Sequence, residues 1–399
     1  MNARIPFDAM RRVAGAAVMT LLLGSAAYAE DFHGFDPAKF DGAMLSADQL
    51  KAMVADATAA HKPNNGKNLV LGFANLQRDV SFCLKVENGM LENAKAAGIE
   101  LQVADNRLDG ATALANAQSF LQRQVDHVTE FQTDANFGAT IMQQMNDANT
   151  KVVAIDIPMP GATFFGANNP RSGFMGGAYL GQAAIAKFGA DKVKQGYFVV
   201  GELPQSGAIP AMRTGGQVAG FKAAVDGFAD DHIIKIDTKN TLEESFTQMN
   251  NVIGRIPEGA PIMVTAINDQ AATGMLRAVK QAGREADLIV VGMGADEIQN
   301  MIDEPSFVSS VGYFPERYGN YLIPLALMQL AGKEVPDTVL VNHVMVTKDN
   351  VCTFYDKFAC AEGKDPIKFE FPQAAFEKHL AEIRTLPDLA DYQNLIPTN

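Results

Sequence analysis

The chain has 399 residues and a formal net charge of −13; removing the +2 carried by its first 29 residues leaves −15. So acidic a surface excludes nucleic acid as a partner, because phosphate binding needs a positive face. About 370 residues exceed one ordinary core, so two lobes are expected, and with no tryptophan any ring stacking falls to Phe or Tyr.

The N-terminus reads as a cleavable export signal, residues 1–29. Arg4, Arg11 and Arg12 precede an apolar stretch from Val13 to Ala27, and Ala27-Tyr28-Ala29 is a small-x-small cleavage site. That stretch is too short to span a bilayer comfortably, and no cysteine follows it to carry a lipid. The expected product starts at Glu30 and works in the periplasm. In an oxidising compartment three cysteines suggest one pair and one spare. Cys352 and Cys360, close in sequence, would staple the C-terminal tail, contributing about 2–3 kcal/mol, and leave Cys83 as a buried, inert thiol.

Residues 30–67 form an extension. Ser46-Ala47-Asp48-Gln49 is a capping-box pattern, Leu50, Met53, Val54 and Ala57 give the following helix an apolar stripe, and His61 to Lys67 is a linker. Strand signals at 68–74, 100–104, 127–132 and 152–156 then alternate with helix signals at 82–97, 111–124 and 137–149. Asn168-Asn169-Pro170 breaks the series. A second one follows, with helices at 173–188, near 212–225 and at 242–253, and strands at 196–201 and 233–236. The helix at 173–188 is rich in small residues and should pack tightly on its sheet.

The segment from Pro261 to Gly294 is the clearest unit. An apolar run delivers Asn268-Asp269-Gln270 to its end, and a helix follows with Asp269 as N-cap. Ala272, Met275, Leu276 and Val279 share one face of it, and Gly283 is its stop. A second apolar run returns from Asp287 to Met293. A strand at 308–314, a helix at 318–330, a strand at 339–346 and a tail helix with Phe376, Leu380 and Ile383 complete the pattern. Uninterrupted apolar strands around amphipathic helices imply an α/β protein of two doubly wound, Rossmann-like lobes. Ligands bind such sheets beyond the strands' carboxyl ends, where Asn268 and Asp269 fall.

No catalytic constellation emerges. His33, His61, His127, His232, His343 and His379 are scattered without metal-ligand spacing. There is no G-x-S-x-G elbow, and Gly292-Met293-Gly294 lacks the third glycine of a dinucleotide fingerprint. The reading is no enzyme, no cofactor and no metal.

From Asn68 to about Val346 the chain resembles the type I periplasmic sugar-binding proteins, and is most similar to the ribose-binding branch that serves ABC importers. The resemblance rests on GFANLQRDVSFCLKVENGMLENAKAAGIEL, VVAIDIP, GANNPRSGFMGGAYLGQAAI, RTGGQVAGFKAAV, TAINDQAATGMLRAVKQAG, VVGMGADE and VGYFPERYGNYLIPLAL, in that order. Repressors share the fold, but the export signal and the missing DNA-binding helix-turn-helix point away from them. The resemblance implies lobes of residues 68–168 plus 314–338 and 169–313 plus 339–349, followed by a tail at 350–399. The lobes would be joined by three crossings near Asn168, Tyr313 and Val339 and close like a hinge on a sugar or polyol. A monomer whose closed form docks on a membrane permease would follow. A sensory subunit presenting that form to a receptor kinase or chemoreceptor is the alternative, for which 30–67 and 350–399 leave room.

Carried over residue by residue, Phe82 falls where the family stacks a ring on the sugar, and Cys83 takes the neighbouring slot, a second Phe in the ribose type. Asp156 matches the hydroxyl-binding Asp, Arg213 the second lobe's Arg, and Asn268 the Asn of an Asn-Asp pair. Ile157 replaces an Arg, Gly294 replaces a strand-end Asp with Asp296 two residues on, and Tyr313 replaces a Gln. With two gripping groups gone, ribose is a poor candidate. A smaller or less oxygenated solute or a linear polyol fits, as does an acidic sugar if Arg78, Arg171 and Arg213 rim the cleft.

Overall fold

The computed structural model describes residues 31–39, 41–132 and 134–397; the export signal lies outside them. In chain order the elements are α1 (Ala47–Ala60), β1 (Val70–Asn75), α2 (Ser81–Ala97), β2 (Glu100–Asp105), α3 (Gly110–Gln122), β3 (His127–Glu130), α4 (Gly138–Asp147), β4 (Lys151–Ile155) and β5 (Thr163–Ala167). They continue with α5 (Asn169–Phe188), α6 (Ala190–Lys194), β6 (Tyr197–Glu202), α7 (Ala208–Ala224), β7 (Ile233–Asp237), α8 (Leu242–Ile253), β8 (Ile262–Ala266) and α9 (Asp269–Gln281). Last come β9 (Leu288–Gly294), α10 (Ile298–Asp303), β10 (Phe307–Gly312), α11 (Gly319–Leu330), β11 (Thr338–Val341), β12 (Val344–Thr347) and α12 (Gln373–Ile383).

The strands form two six-stranded sheets, ordered β11-β5-β4-β3-β1-β2 and β12-β10-β9-β8-β6-β7. Every pairing is parallel except β10 with β12. The central strands β1, β8 and β9 are buried along their whole length, as parallel strands covered on both faces must be. This is the type I periplasmic binding protein fold.

Three of the expected details change. β5 had no strand signal of its own, yet it pairs with β4 and carries β11. The expected strand at 339–346 is two strands in two sheets, broken at Asn342-His343, so the third crossing falls there and not at Val339. The small residues of α5 serve a neighbouring helix as much as the sheet. A Cβ on Gly173 would lie 2.0 Å from the Arg213 carbonyl oxygen, and one on Gly177 would lie 1.9 Å from that of Gln217. Only glycine lets α5 and α7 come this close, and that contact sets where Arg213 stands.

The extension belongs to the first lobe. Ser46 and Gln49 make the capping box, Leu50, Met53 and Ala57 are buried, and Asn320 Nδ2 donates to Gly42 O at 2.7 Å. The tail spans both lobes. Phe376, Leu380 and Ile383 share a core with Phe174 and Met212 of the second lobe and Phe164 of the first, while Asn394 donates to Thr338 Oγ1 at 2.9 Å. The sulfurs of Cys352 and Cys360 are bonded, with their Cα atoms 5.1 Å apart.

One imidazole joins all three crossings. His343, on the third, accepts from the Asn168 N–H of the first at 3.0 Å. Its Nδ1 donates to the Gly312 carbonyl, at the start of the second, at 3.0 Å. A backbone N–H can only donate and a carbonyl only accept, so the ring is fixed as the neutral Nδ1–H tautomer. Burial lowers its pKa to about 3, and the charges of Arg213 and Arg171 push the same way. A folded pKa below the unfolded value of about 6.5 means that only the unfolded chain takes up a proton between those limits, so stability falls on acidification. Between pH 6.5 and 5 this group should cost the wild type about 2 kcal/mol. Urea unfolding at the two pH values should show that extra loss relative to His343→Gln; equal losses would refute it.

Candidate functional site

Between the lobes, just past the strand ends, lies a small cavity, ≈ 50 Å³ of it open to the centre of a water molecule. At about 10–15 Å³ per water on that measure, it holds a few waters or one small solute. Its wall is made by residues that follow strands: Leu76 after β1, Phe131 after β3, Asp156 and Ile157 after β4, Leu203 after β6, Ile267 and Asn268 after β8. The placement follows from the chain direction of parallel sheets.

Of the seven residues expected at the site, Phe82, Cys83, Asp156, Arg213, Asn268 and Tyr313 line the cavity. Phe82, in the first turn of α2, lies edge-on to Phe131, Tyr313 and Tyr318, with ring centroids 6.5, 6.1 and 5.7 Å away. Such tilted contacts hold the ring in place. Burial pushes the Cys83 thiol well up, so it is an apolar wall group and not a thiolate.

Asp156 sits at φ 53°, a left-handed position that Asp tolerates better than most residues. Its Oδ1 accepts from the Ala167 N–H at 2.9 Å. A Cβ on Gly166 would stand 2.4 Å from that oxygen, so glycine there makes room for the carboxylate. Burial raises the Asp156 pKa, while Arg213 and the Ala167 amide oppose the shift. Arg213 reaches in from α7 of the opposite lobe. Its Nε donates to Asn169 Oδ1 at 2.9 Å and its Nη1 to Ile267 O at 2.8 Å, with Cζ 4.8 Å from the Tyr313 ring centre.

Asn268, not Asp269, is the N-cap of α9, its Oδ1 accepting from the Ala271 N–H at 2.7 Å. Its Nδ2 donates to Asn240 Oδ1 at 2.6 Å. Asp269 is instead a buried anchor for the neighbouring turn. Its Oδ2 accepts from the backbone of Asp296 (2.9 Å) and Glu297 (3.2 Å), and its Oδ1 from Ser310 Oγ at 2.6 Å.

Asp296 does not line the cavity. Burial, reinforced by the nearby Asp269 charge, holds its pKa well up. It is a contact between lobes: Ser81 Oγ donates to its carboxylate and Lys85 Nζ to its carbonyl. Arg78 and Arg171 are also elsewhere. Arg78 pairs with Glu87, and Arg171 lies over the Phe371 ring of the tail, 4.7 Å from its centre. Sequence reasoning missed Asn240 and the apolar walls. Asn240 follows β7, so treating every strand end as a candidate would have found it.

Other bonds cross the cleft mouth. Asn240 Nδ2 donates to Gln77 Oε1 at 3.1 Å. The Gln270 amide accepts from the Ser81 N–H at 3.0 Å and donates to Asp79 O at 3.1 Å. The lobes are therefore closed on each other.

Two Rossmann-like lobes meeting over a strand-end cleft define a type I periplasmic binding protein. A family model described as a periplasmic binding protein domain matches residues 71–334, and the chain belongs to that family. The family places it in the periplasm. The chain is 24% identical over 271 residues to the ribose import binding protein of Escherichia coli K12, covering 67% of this chain and 86% of that one. It is 27% identical over 328 residues to a putative rhizopine-binding protein of Rhizobium meliloti, covering 77% and 97%. An ABC-transporter solute-binding protein from Actinobacillus succinogenes 130z, solved with D-allose, has the same fold at TM-score 0.62 and 18% identity, covering 72% of this chain and 100% of that one. One from Bacillus halodurans C-125, solved with myo-inositol, matches at TM-score 0.60 and 20% identity, covering 73% and 98%.

Removing the Gln270 bracket should loosen closure. Two hydrogen bonds between lobes are worth about 1–2 kcal/mol net, so Gln270→Ala should move the open–closed balance about tenfold toward open. Small-angle scattering should then show a larger radius of gyration for the variant without solute; an unchanged radius would contradict this role.

Proposed function

We propose that the protein captures one small sugar or polyol between its lobes and delivers it, lobes closed, to the membrane permease of an ABC importer. The observation that carries this is the closed cavity in which Asp156 of one lobe and Arg213 of the other share a wall with Phe82 and Tyr313. A carboxylate and a guanidinium bind hydroxyls in pairs, and aromatic rings cover C–H faces. Because the two polar groups come from different lobes, a solute that touches both favours the closed form by its differential affinity for it. The protein acts as a monomer in this scheme, and its closed surface is what the permease recognises.

A thermal-shift screen of residues 30–399 against pentoses, hexoses, tetritols, cyclitols and sugar acids tests the proposal. A bound solute at a hundredfold excess over its Kd adds about 2.7 kcal/mol to stability, which raises Tm by several degrees. Asp156→Ala and Arg213→Ala should abolish the shift. Asn268→Ala should mainly lower the starting Tm, through the loss of a cap worth about 1 kcal/mol. No shift with any compound would refute the proposal.

A further inference from the structure

The cavity's polar groups are mostly engaged with one another. Asn268 spends its oxygen on the Ala271 amide and its nitrogen on Asn240, and Asn240 spends its own nitrogen on Gln77. The Tyr313 hydroxyl donates to Ser172 Oγ at 2.7 Å. Two nitrogens of Arg213 and one oxygen of Asp156 hold backbone or amide partners. The amides and the Tyr313 hydroxyl each keep a further lone pair or N–H. The strongest groups left facing a solute are the two charged ones: Asp156, with Oδ2 to spare, and Arg213, whose guanidinium also bonds the Tyr313 hydroxyl. They carry opposite charges, so the pair is neutral.

The rest of the wall is apolar. Leu76, Phe82, Phe131 and Ile157 come from the first lobe, and Leu203 and Met293 from the second. None of these side chains can accept or donate to a hydroxyl, and a hydroxyl buried against them without a partner weakens binding by about tenfold or more. A methyl or methylene group gains from the same wall.

Resting on the reading that this cavity holds the solute, we propose that the solute is a neutral, monosaccharide-sized diol poor in oxygen elsewhere: a deoxy sugar, or an O-methylated sugar or cyclitol. One hydroxyl of a vicinal pair donates to Asp156 Oδ2, and its neighbour accepts from the Arg213 guanidinium. The deoxygenated or methylated part lies against the aromatic and aliphatic wall. A uronic acid that pairs with Arg213 leaves the buried Asp156 charge without its counter-charge, and an amino sugar that pairs with Asp156 does the same to Arg213, so a neutral solute fits the pair better than either.

Titration calorimetry on residues 30–399 with matched pairs tests this. Suitable pairs are L-rhamnose with L-mannose, L-fucose with L-galactose, 2-deoxy-D-ribose with D-ribose, and an O-methylated inositol with its parent; D-galacturonate serves as the acidic probe. In the tightest-binding pair, the deoxy or methylated member should bind at least about tenfold more tightly than its partner. A smaller or reversed preference there, or D-galacturonate binding more tightly than every neutral compound, overturns this inference and leaves sugar capture standing. No binding by any compound overturns both.

Discussion

The arrangement depends on one neutral imidazole. His343 stands on the third crossing, takes a hydrogen bond from the first and gives one to the second, so three separate chain segments are tied at one point. That junction is also continuous with the cavity wall. The His343 ring lies 4.4 Å from that of Tyr313, Tyr313 carries the Arg213 guanidinium over its face, and Arg213 is tied to Asn169, beside the first crossing. Arg213 is thus one side chain away from the junction of the crossings. Charging the imidazole would put a proton where the Asn168 N–H must point, which is why burial and neutrality go together here.

The second lobe's share of the cleft is organised by helix caps and turns. Asp269 holds the 295–297 turn and Ser310, Asn268 caps α9, and Asn240 braces Asn268. These polar residues look like ligand groups in a sequence, yet their hydrogen-bonding capacity is largely spent on the fold. The charged groups on the cavity wall are the Asp156 carboxylate and the Arg213 guanidinium. On the reading proposed here, such a site discriminates chiefly by refusing hydroxyls it cannot pair, a penalty on the wrong solute rather than a bonus for the right one.

Much of this was legible from the chain. The strand–helix alternation located both lobes because buried parallel strands are continuous apolar runs, and Phe82, Asp156, Arg213 and Asn268, which the family resemblance put in the cleft, lie on the cavity wall. β5 was hidden because Thr163–Ala167 is short and sits between turn-forming residues. The third crossing was misplaced because Val339–Val346 reads as a single apolar run, and only pairing decides that Val341 and Val344 belong to different sheets. The choice between Asn268 and Asp269 as cap depends on backbone geometry that both residue types can satisfy. Asp296 looked like a ligand because it is a carboxylate near a strand end, but its partners, Ser81 and Lys85, lie more than 200 positions away in sequence. The role of Arg171 was out of reach for the same reason, since its aromatic partners belong to the tail.

The central claim is that the lobes close on a solute. Ala111 of α3 and Thr247 of α8 are exposed, one on each lobe, and spin labels at Ala111→Cys and Thr247→Cys report the distance across the cleft directly. With the best-binding solute the distance distribution should narrow and shift to the shorter, closed value, and this shift should be absent in Asp156→Ala. The same distribution with and without a solute shown to bind would contradict hinge closure as the basis of this protein's action.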